Sequence, residues 1–187
     1  SGVSYMLENR EIMMKMFPDL FHSNRVLRVD DYPTRLLQTL MSLAPKKCES
    51  SVPTVVLLTP GHLNSAYYEH TFLSDQMGIE MVEAQDLFVE NDFLYMKTVD
   101  GPKKIDVVYR RIDDDYLDPL AYNPNSVIGV PGITHVYKTG GVNICSAPGA
   151  GIADDKAVYI YVPEMIKFYL RWHHRLPLRF ILSSLLH

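Results

Sequence analysis

Residues 109–115 read Tyr-Arg-Arg-Ile-Asp-Asp-Asp, and Asp118-Pro119 closes the run. Two guanidinium groups and three carboxylates thus follow directly on an apolar stretch, residues 105–109, with no turn residue between them. Arginine offers a planar fork that grips a carboxylate or phosphate through two parallel bonds. A row of carboxylates can hold a divalent cation such as Mg²⁺. Charge at the end of a buried strand is costly unless it is paired or meets a polar ligand. Arg110 and Arg111 are therefore candidate ligand-facing residues, with Asp113, Asp114 and Asp115 as candidate contacts beside them. The competing reading is a solvated turn whose arginines and aspartates neutralise one another.

The elements that must carry this run follow from periodicity. Val55-Val56-Leu57-Leu58, bounded by Pro53 and by Thr59-Pro60-Gly61, predicts a strand buried on both faces. Asn64 or Ser65 then caps a helix that runs to Met77 and stops at Gly78, and residues 79–82 form the next strand. Together these spell a βαβ unit. Residues 87–90 and 93–98 flank Asn91-Asp92 as an inserted antiparallel hairpin. Asp100-Gly101-Pro102 turns the chain into a strand over 105–109, and 118–126 is a loop. A helix over 130–138 ends at Gly140-Gly141, and a short strand covers 142–145. Helices through 157–161 and over 163–170 follow, the second with Pro163 in its first turn. Upstream, 5–17 predicts a helix, and Asp31 caps another that carries Leu36, Leu37, Leu40 and Met41 at helical spacing. The fold class is α/β: a mainly parallel, open, Rossmann-like sheet flanked by helices, with an inserted β-hairpin.

In such a sheet the loops at 60–65, 110–115 and 146–156 share one edge, where parallel sheets form their ligand crevice. Gly61, Gly149 and Gly151 let backbone N–H groups approach a ligand closely. Asn64 and Ser65, with the two arginines, can orient a carboxylate or phosphate, and Asp154 and Lys156 add charge at a helix start. Each has a plainer reading. Gly149-Ala150-Gly151 lacks the spacing of a dinucleotide or phosphate loop, and Asp154 and Asp155 can simply cap a helix. His62 and His70 stand eight residues apart, too far to chelate one ion, and read as surface or core residues.

With 187 residues the chain is long enough for one domain with a real core. It is 47% hydrophobic, 21% charged and carries a net charge of −4, with no basic stripe that would suit nucleic acid. No apolar run reaches the roughly 18 residues of a membrane span. Cys48 and Cys145 match no zinc or redox spacing and are expected as reduced thiols in a cytoplasmic protein. An unpaired sheet edge and an apolar tail leave homo-oligomerisation open.

Several motifs, in this order, resemble the circularly permuted ATP-grasp family, whose members include glutathionylspermidine-synthase-like and peptide-ligase-like proteins. They are Ser1 to Arg10, Leu58-Thr59-Pro60-Gly61, Tyr67-Tyr68-Glu69-His70-Thr71-Phe72-Leu73, Val108 to Asp115 with Asp118-Pro119, Gly129-Val130-Pro131-Gly132, and Gly151 to Tyr159. The resemblance covers about residues 1–170 and is expected to stop near Leu170. It implies an ATP- and Mg²⁺-dependent carboxylate–amine ligase that works through an acyl phosphate on small-molecule carboxylate and amine or peptide substrates. Arg110 and Arg111 would then be catalytic. The other contacts would be Gly61, Asn64, Ser65, Asp113, Asp114, Asp115, Gly149, Gly151, Asp154 and Lys156. Glu8 and Asn9 resemble the family's magnesium motif, although as strand neighbours they would face opposite ways. The implied layout is a displaced ATP-grasp segment over 1–30, a pre-ATP-grasp-like α/β domain over 31–170 and an atypical tail over 171–187. The lysine-bearing strands and Gly-rich loop that clasp ATP are expected to be missing. The alternative is a non-catalytic α/β binding or interaction module derived from the same family.

Overall fold

A computed structural model describes residues 2–170, so the expected tail over 171–187 lies outside the described residues. The chain divides into two compact units, Ser1–Ala147 and Pro148–His187. The first unit opens with helices α1 (Val3–Met16), α2 (Pro18–Ser23) and α3 (Tyr32–Ser42). Strand β1 (Val55–Leu58), helix α4 (Tyr67–Met77) and strand β2 (Glu80–Val82) complete the βαβ unit. Strands β3 (Leu87–Glu90), β4 (Phe93–Thr98) and β5 (Gly101–Ile105) follow, then β6 (Val107–Arg110), helices α5 (Asp114–Leu117) and α6 (Ile133–Thr139), and β7 (Asn143–Cys145).

The main sheet has four parallel strands in the order β2-β1-β6-β7. Because side chains alternate across a strand, β1 feeds two cores. Val55 and Leu57, with Val107, pack against Leu40 of α3 and Leu73 and Met77 of α4. Val56 and Leu58, with Val108 and Ile144, pack on the other face against Ile133 and Val136 of α6 and Leu94, Met96 and Ile105 of the antiparallel sheet. All four β1 residues are buried, which is why the run shows no polar alternation. From β1 the chain winds through α4 to β2 on one side. From β6 it winds through α6 to β7 on the other. The winding direction therefore changes between the carboxyl ends of β1 and β6, the position where open α/β sheets place their crevice.

The inserted element is larger than the expected hairpin. Asn91 and Asp92, both at positive φ, turn β3 into β4 as anticipated, and β5 adds a third antiparallel strand. The strand expected over 105–109 is in fact two. The chain leaves the antiparallel sheet at Ile105 and enters the parallel sheet at Val107. Asp106 makes the transfer, its N–H bonded to the Thr54 carbonyl and its buried carboxylate accepting the Thr54 N–H. Asp31 precedes α3 but bonds Arg35 at 2.5 Å instead of capping the helix. The α6 helix starts at Ile133, after Gly132, and the short α5 occupies the acidic run.

In the second unit, 3₁₀ turns at Ala150–Asp154 and Lys156–Ile160 replace the helix expected through 157–161. Helix α7 (Val162–Leu170) follows. No helix among the described residues is long and apolar enough to cross a membrane.

The turn between α6 and β7 fits against the β3–β4 turn so closely that a Cβ on Gly141 would lie 1.9 Å from the Asp92 carbonyl oxygen. Gly141→Ala is expected to destabilise the fold by about 2 kcal/mol through overpacking, read as a lower urea midpoint with an unchanged slope.

Candidate functional site

The residues at the carboxyl ends of β1 and β6 are held by α4. Arg111 follows β6, and its N–H bonds the Leu58 carbonyl at 2.9 Å, so its backbone continues the β1–β6 ladder. Its Nη2 donates to Glu69 Oε1 at 2.6 Å and its Nη1 to the Tyr109 hydroxyl at 3.1 Å. Its guanidinium also lies 5.6 Å from the centre of the Tyr109 ring. Glu69 stands in the first turn of α4 with its side chain only 3% exposed, whereas that of Arg111 is 19% exposed. The second Glu69 oxygen accepts the N–H of Gly2, which ties the start of α1 to the same carboxylate. Burial alone would raise the Glu69 carboxyl. The Gly2 hydrogen bond and the Arg111 charge outweigh it and hold that carboxyl below its ordinary value.

His70, the next residue, is buried and shares a 2.9 Å hydrogen bond between its Nδ1 and the Thr59 hydroxyl. That hydroxyl also accepts the N–H of Gly61 at 3.2 Å. His70 thus shapes the loop after β1 from beneath. Burial pushes its imidazole down to about 4, with the Arg111 cation adding to the effect and Glu69 opposing it. Gly61 turns at φ 99°, and a Cβ there would meet the Glu83 carboxylate at 3.3 Å, so the position suits glycine. Its carbonyl accepts the Asn64 N–H, and Asn64 Oδ1 in turn accepts the Ala66 N–H at 2.8 Å. Asn64 therefore shapes the entry to α4 two residues ahead of the helix cap, Ala66, and Ser65 lies exposed beside it.

The geometry separates two arginines that the sequence treats alike. Arg110 turns back on its own loops. It donates to the carbonyls of Ile112 (2.8 Å), Ser146 (3.1 Å) and Ala147 (3.4 Å), and pairs with Asp114 Oδ1 at 2.6 Å. Its side chain is 8% exposed, so it acts as a staple between the ends of β6 and β7. The paired-turn reading thus describes Arg110 and Asp114, while Asp113 and Asp115 remain exposed around the start of α5. Asp118, quoted in the sequence only as the end of the run, is fully buried. Its carboxylate accepts the N–H groups of Leu120, Gly132 and Thr134, which ties the loop to α6.

Glu8 and Asn9 are consecutive on helix α1, not on a strand. They lie about 100° apart around its axis rather than on opposite faces. The Glu8 carboxylate beside it pushes the Tyr68 hydroxyl up to about 12. Asn9 is exposed. Among the described residues no three His, Cys, Asp or Glu side chains gather as a metal site. Gly149, Gly151, Asp154 and Lys156 belong to the second unit. There Gly149, at φ 85°, precedes the first 3₁₀ turn and Lys156 opens the second, with Asp155 Oδ1 capping it by accepting the Ala157 N–H.

Sequence reasoning passed over Glu69 and set His70 aside. Both stand in the motif Tyr-Tyr-Glu-His, on a helix whose polar residues look solvent-facing by type. The one available signal was a carboxylate and an imidazole side by side one turn into a helix that follows a buried strand.

A family model described as a circularly permuted ATP-grasp matches residues 1–177, which carries the match past Leu170, where the resemblance was expected to stop. An uncharacterized protein of Synechocystis is 53% identical over 171 residues, 91% of this chain and 35% of the relative. An uncharacterized protein of Mycobacterium leprae is 50% identical over 171 residues, 91% of this chain and 30% of its own length. From Frankia alni, "Putative glutamate--cysteine ligase 2-3" is 36% identical over 170 residues, 91% of this chain and 20% of its own. The chain thus spans about a third or less of the curated relatives it matches.

Because His70 is held neutral in the fold but titrates normally when unfolded, its contribution is fully present above about pH 6.5. It is lost as the pH falls towards about 4. Acidification across that window is expected to cost about 3 kcal/mol of stability, measured by chemical denaturation at a series of pH values. His70→Gln, which cannot charge, should flatten the slope above about pH 4.5. Below that, the lowered Glu69 carboxyl adds a second loss of the same sign.

Proposed function

Since the chain belongs to the circularly permuted ATP-grasp family, we propose that it supplies the substrate-side α/β domain of an ATP-dependent carboxylate–amine ligase. The observation that carries this reading is the family match over residues 1–177. In such a ligase a carboxylate is activated as an acyl phosphate, and an amine displaces the phosphate. The chain's own residues bind and orient the carboxylate in this reading. Arg111 meets it with the N–H groups not taken by Glu69 and Tyr109, at the mouth of the crevice between β1 and β6. Exposed Asp113 and Asp115 stand beside it as sites for the amine. Arg110 and Asp114 keep the loops in place. Nucleotide and metal are held chiefly by parts of the longer protein outside this chain, as its share of the relatives' length suggests.

The Frankia relative's name makes L-glutamate the first carboxylate to test. The longer protein, given ATP, Mg²⁺, L-glutamate or another carboxylate and hydroxylamine as a general amine trap, is expected to release ADP and form a hydroxamate. Arg111→Lys keeps a cation beside Glu69 but removes the planar fork. It should lower kcat/KM for the carboxylate about 100-fold, the loss expected of a charge-assisted contact worth nearly 3 kcal/mol. Wild-type turnover by this variant would remove Arg111 from the site. An absence of ADP release with every carboxylate tried would favour the non-catalytic binding module instead.

A further inference from the structure

We propose that Glu69 is the positioning residue for Arg111: one buried carboxylate fixes the guanidinium with one oxygen and is itself fixed by α1 through the other. The proposal rests on the ligand-facing reading of Arg111 given above.

The carboxylate is immobilised from three directions. Its helix is pinned to the sheet by Leu73 and Met77 in the core. Its neighbour His70 is bonded to Thr59 at the end of β1. Its Oε2 accepts the Gly2 N–H, which prevents rotation of the carboxylate plane. What remains is Oε1, directed at Arg111 Nη2 at 2.6 Å. The arginine is restrained at both ends too, by its main-chain bond to Leu58 and by the Tyr109 hydroxyl and ring. A guanidinium carries five N–H groups, and among the described residues Glu69 and Tyr109 take one each. A long side chain loses much rotamer freedom when it binds a ligand. A guanidinium already held by Glu69 has lost that freedom before an oxyanion arrives, so its remaining N–H groups form a preset fork.

Arg110 serves as the internal contrast. Its guanidinium is consumed by three carbonyls and Asp114, and its side chain is less than half as exposed as that of Arg111. A purely architectural ion pair would be expected to bury its cation in that way. Arg111 instead is anchored at a buried carboxylate while 19% of its side chain stays exposed.

The test is ¹⁵N NMR of arginine side chains in the 187-residue chain, with the Arg111 signals assigned through Arg111→Lys. In the wild type the Arg111 Nη resonances should be resolved, showing slow rotation, and should move on titration with acetate or inorganic phosphate. The stronger of the two identifies whether a carboxylate or a phosphoryl group is the oxyanion recognised. Glu69→Gln should average the Nη resonances and weaken oxyanion binding about tenfold, with Glu69→Asp restoring part of both. Unchanged resonances and affinity in a folded Glu69→Gln protein overturn the proposal. Should Glu69→Gln fail to fold, the wild type decides alone, because averaged Arg111 resonances there overturn it. Resolved wild-type resonances that depend on Glu69 yet move with neither anion uphold the positioning role and remove the ligand-facing reading on which it was built.

Discussion

The rest of the candidate site depends on the burial of one carboxylate. Glu69 is almost wholly removed from solvent, and an isolated ion there would be far too costly to persist. It persists because three separate parts of the chain converge on it: α4, which carries it, Arg111, which follows β6, and Gly2, just ahead of α1, which donates a main-chain N–H. These parts are distant in sequence, and the packing of α4 on the sheet and the Tyr5–Tyr68 contact already bring them close. The carboxylate adds one polar contact that all three share. The aromatic contact between Tyr5 of α1 and Tyr68 of α4, at 5.3 Å between ring centres, lies beside the same junction.

Around that pair the sheet supplies a rigid floor. Strand β1 is buried on both faces and hydrogen-bonded on both edges, so the loop after it begins from a fixed direction. The direction of winding changes next to it, at β6, the kind of position where open α/β sheets place a ligand crevice. Thr59, at the end of β1, connects floor and wall by taking the Gly61 N–H and bonding His70. Loops built this way hold function on a scaffold that does not move with them. The staple formed by Arg110 serves the neighbouring edge between β6 and β7 in the same manner.

Much of the fold was legible because its signals are local. The apolar block at β1, the glycine stop after α4, the Asn-Asp hairpin turn and the proline at the start of α7 each state their conformation within a few residues. The third antiparallel strand was not legible. Gly101-Pro102 reads as a turn and Lys103-Lys104 as solvated, and only pairing with β4 makes strand of them. The break at Asp106 was hidden for a similar reason, since what places an aspartate between two strands is its pair of hydrogen bonds with Thr54, 52 residues away in the chain.

Residue types and order in the sequence determined the α/β class, the βαβ unit, the family and the presence of charged groups at the carboxyl end of β6. Hydrophobic periodicity and turn chemistry act over short range and leave a readable pattern. Only the tertiary structure decided which charge meets which. Arg110 and Arg111 are adjacent and identical, yet one is a staple for its own loops and the other pairs with a glutamate on a different element. Pairing between ions depends on distances of a few ångströms across the fold, and those are set by how α4 packs on the sheet rather than by the spacing of residues along the chain.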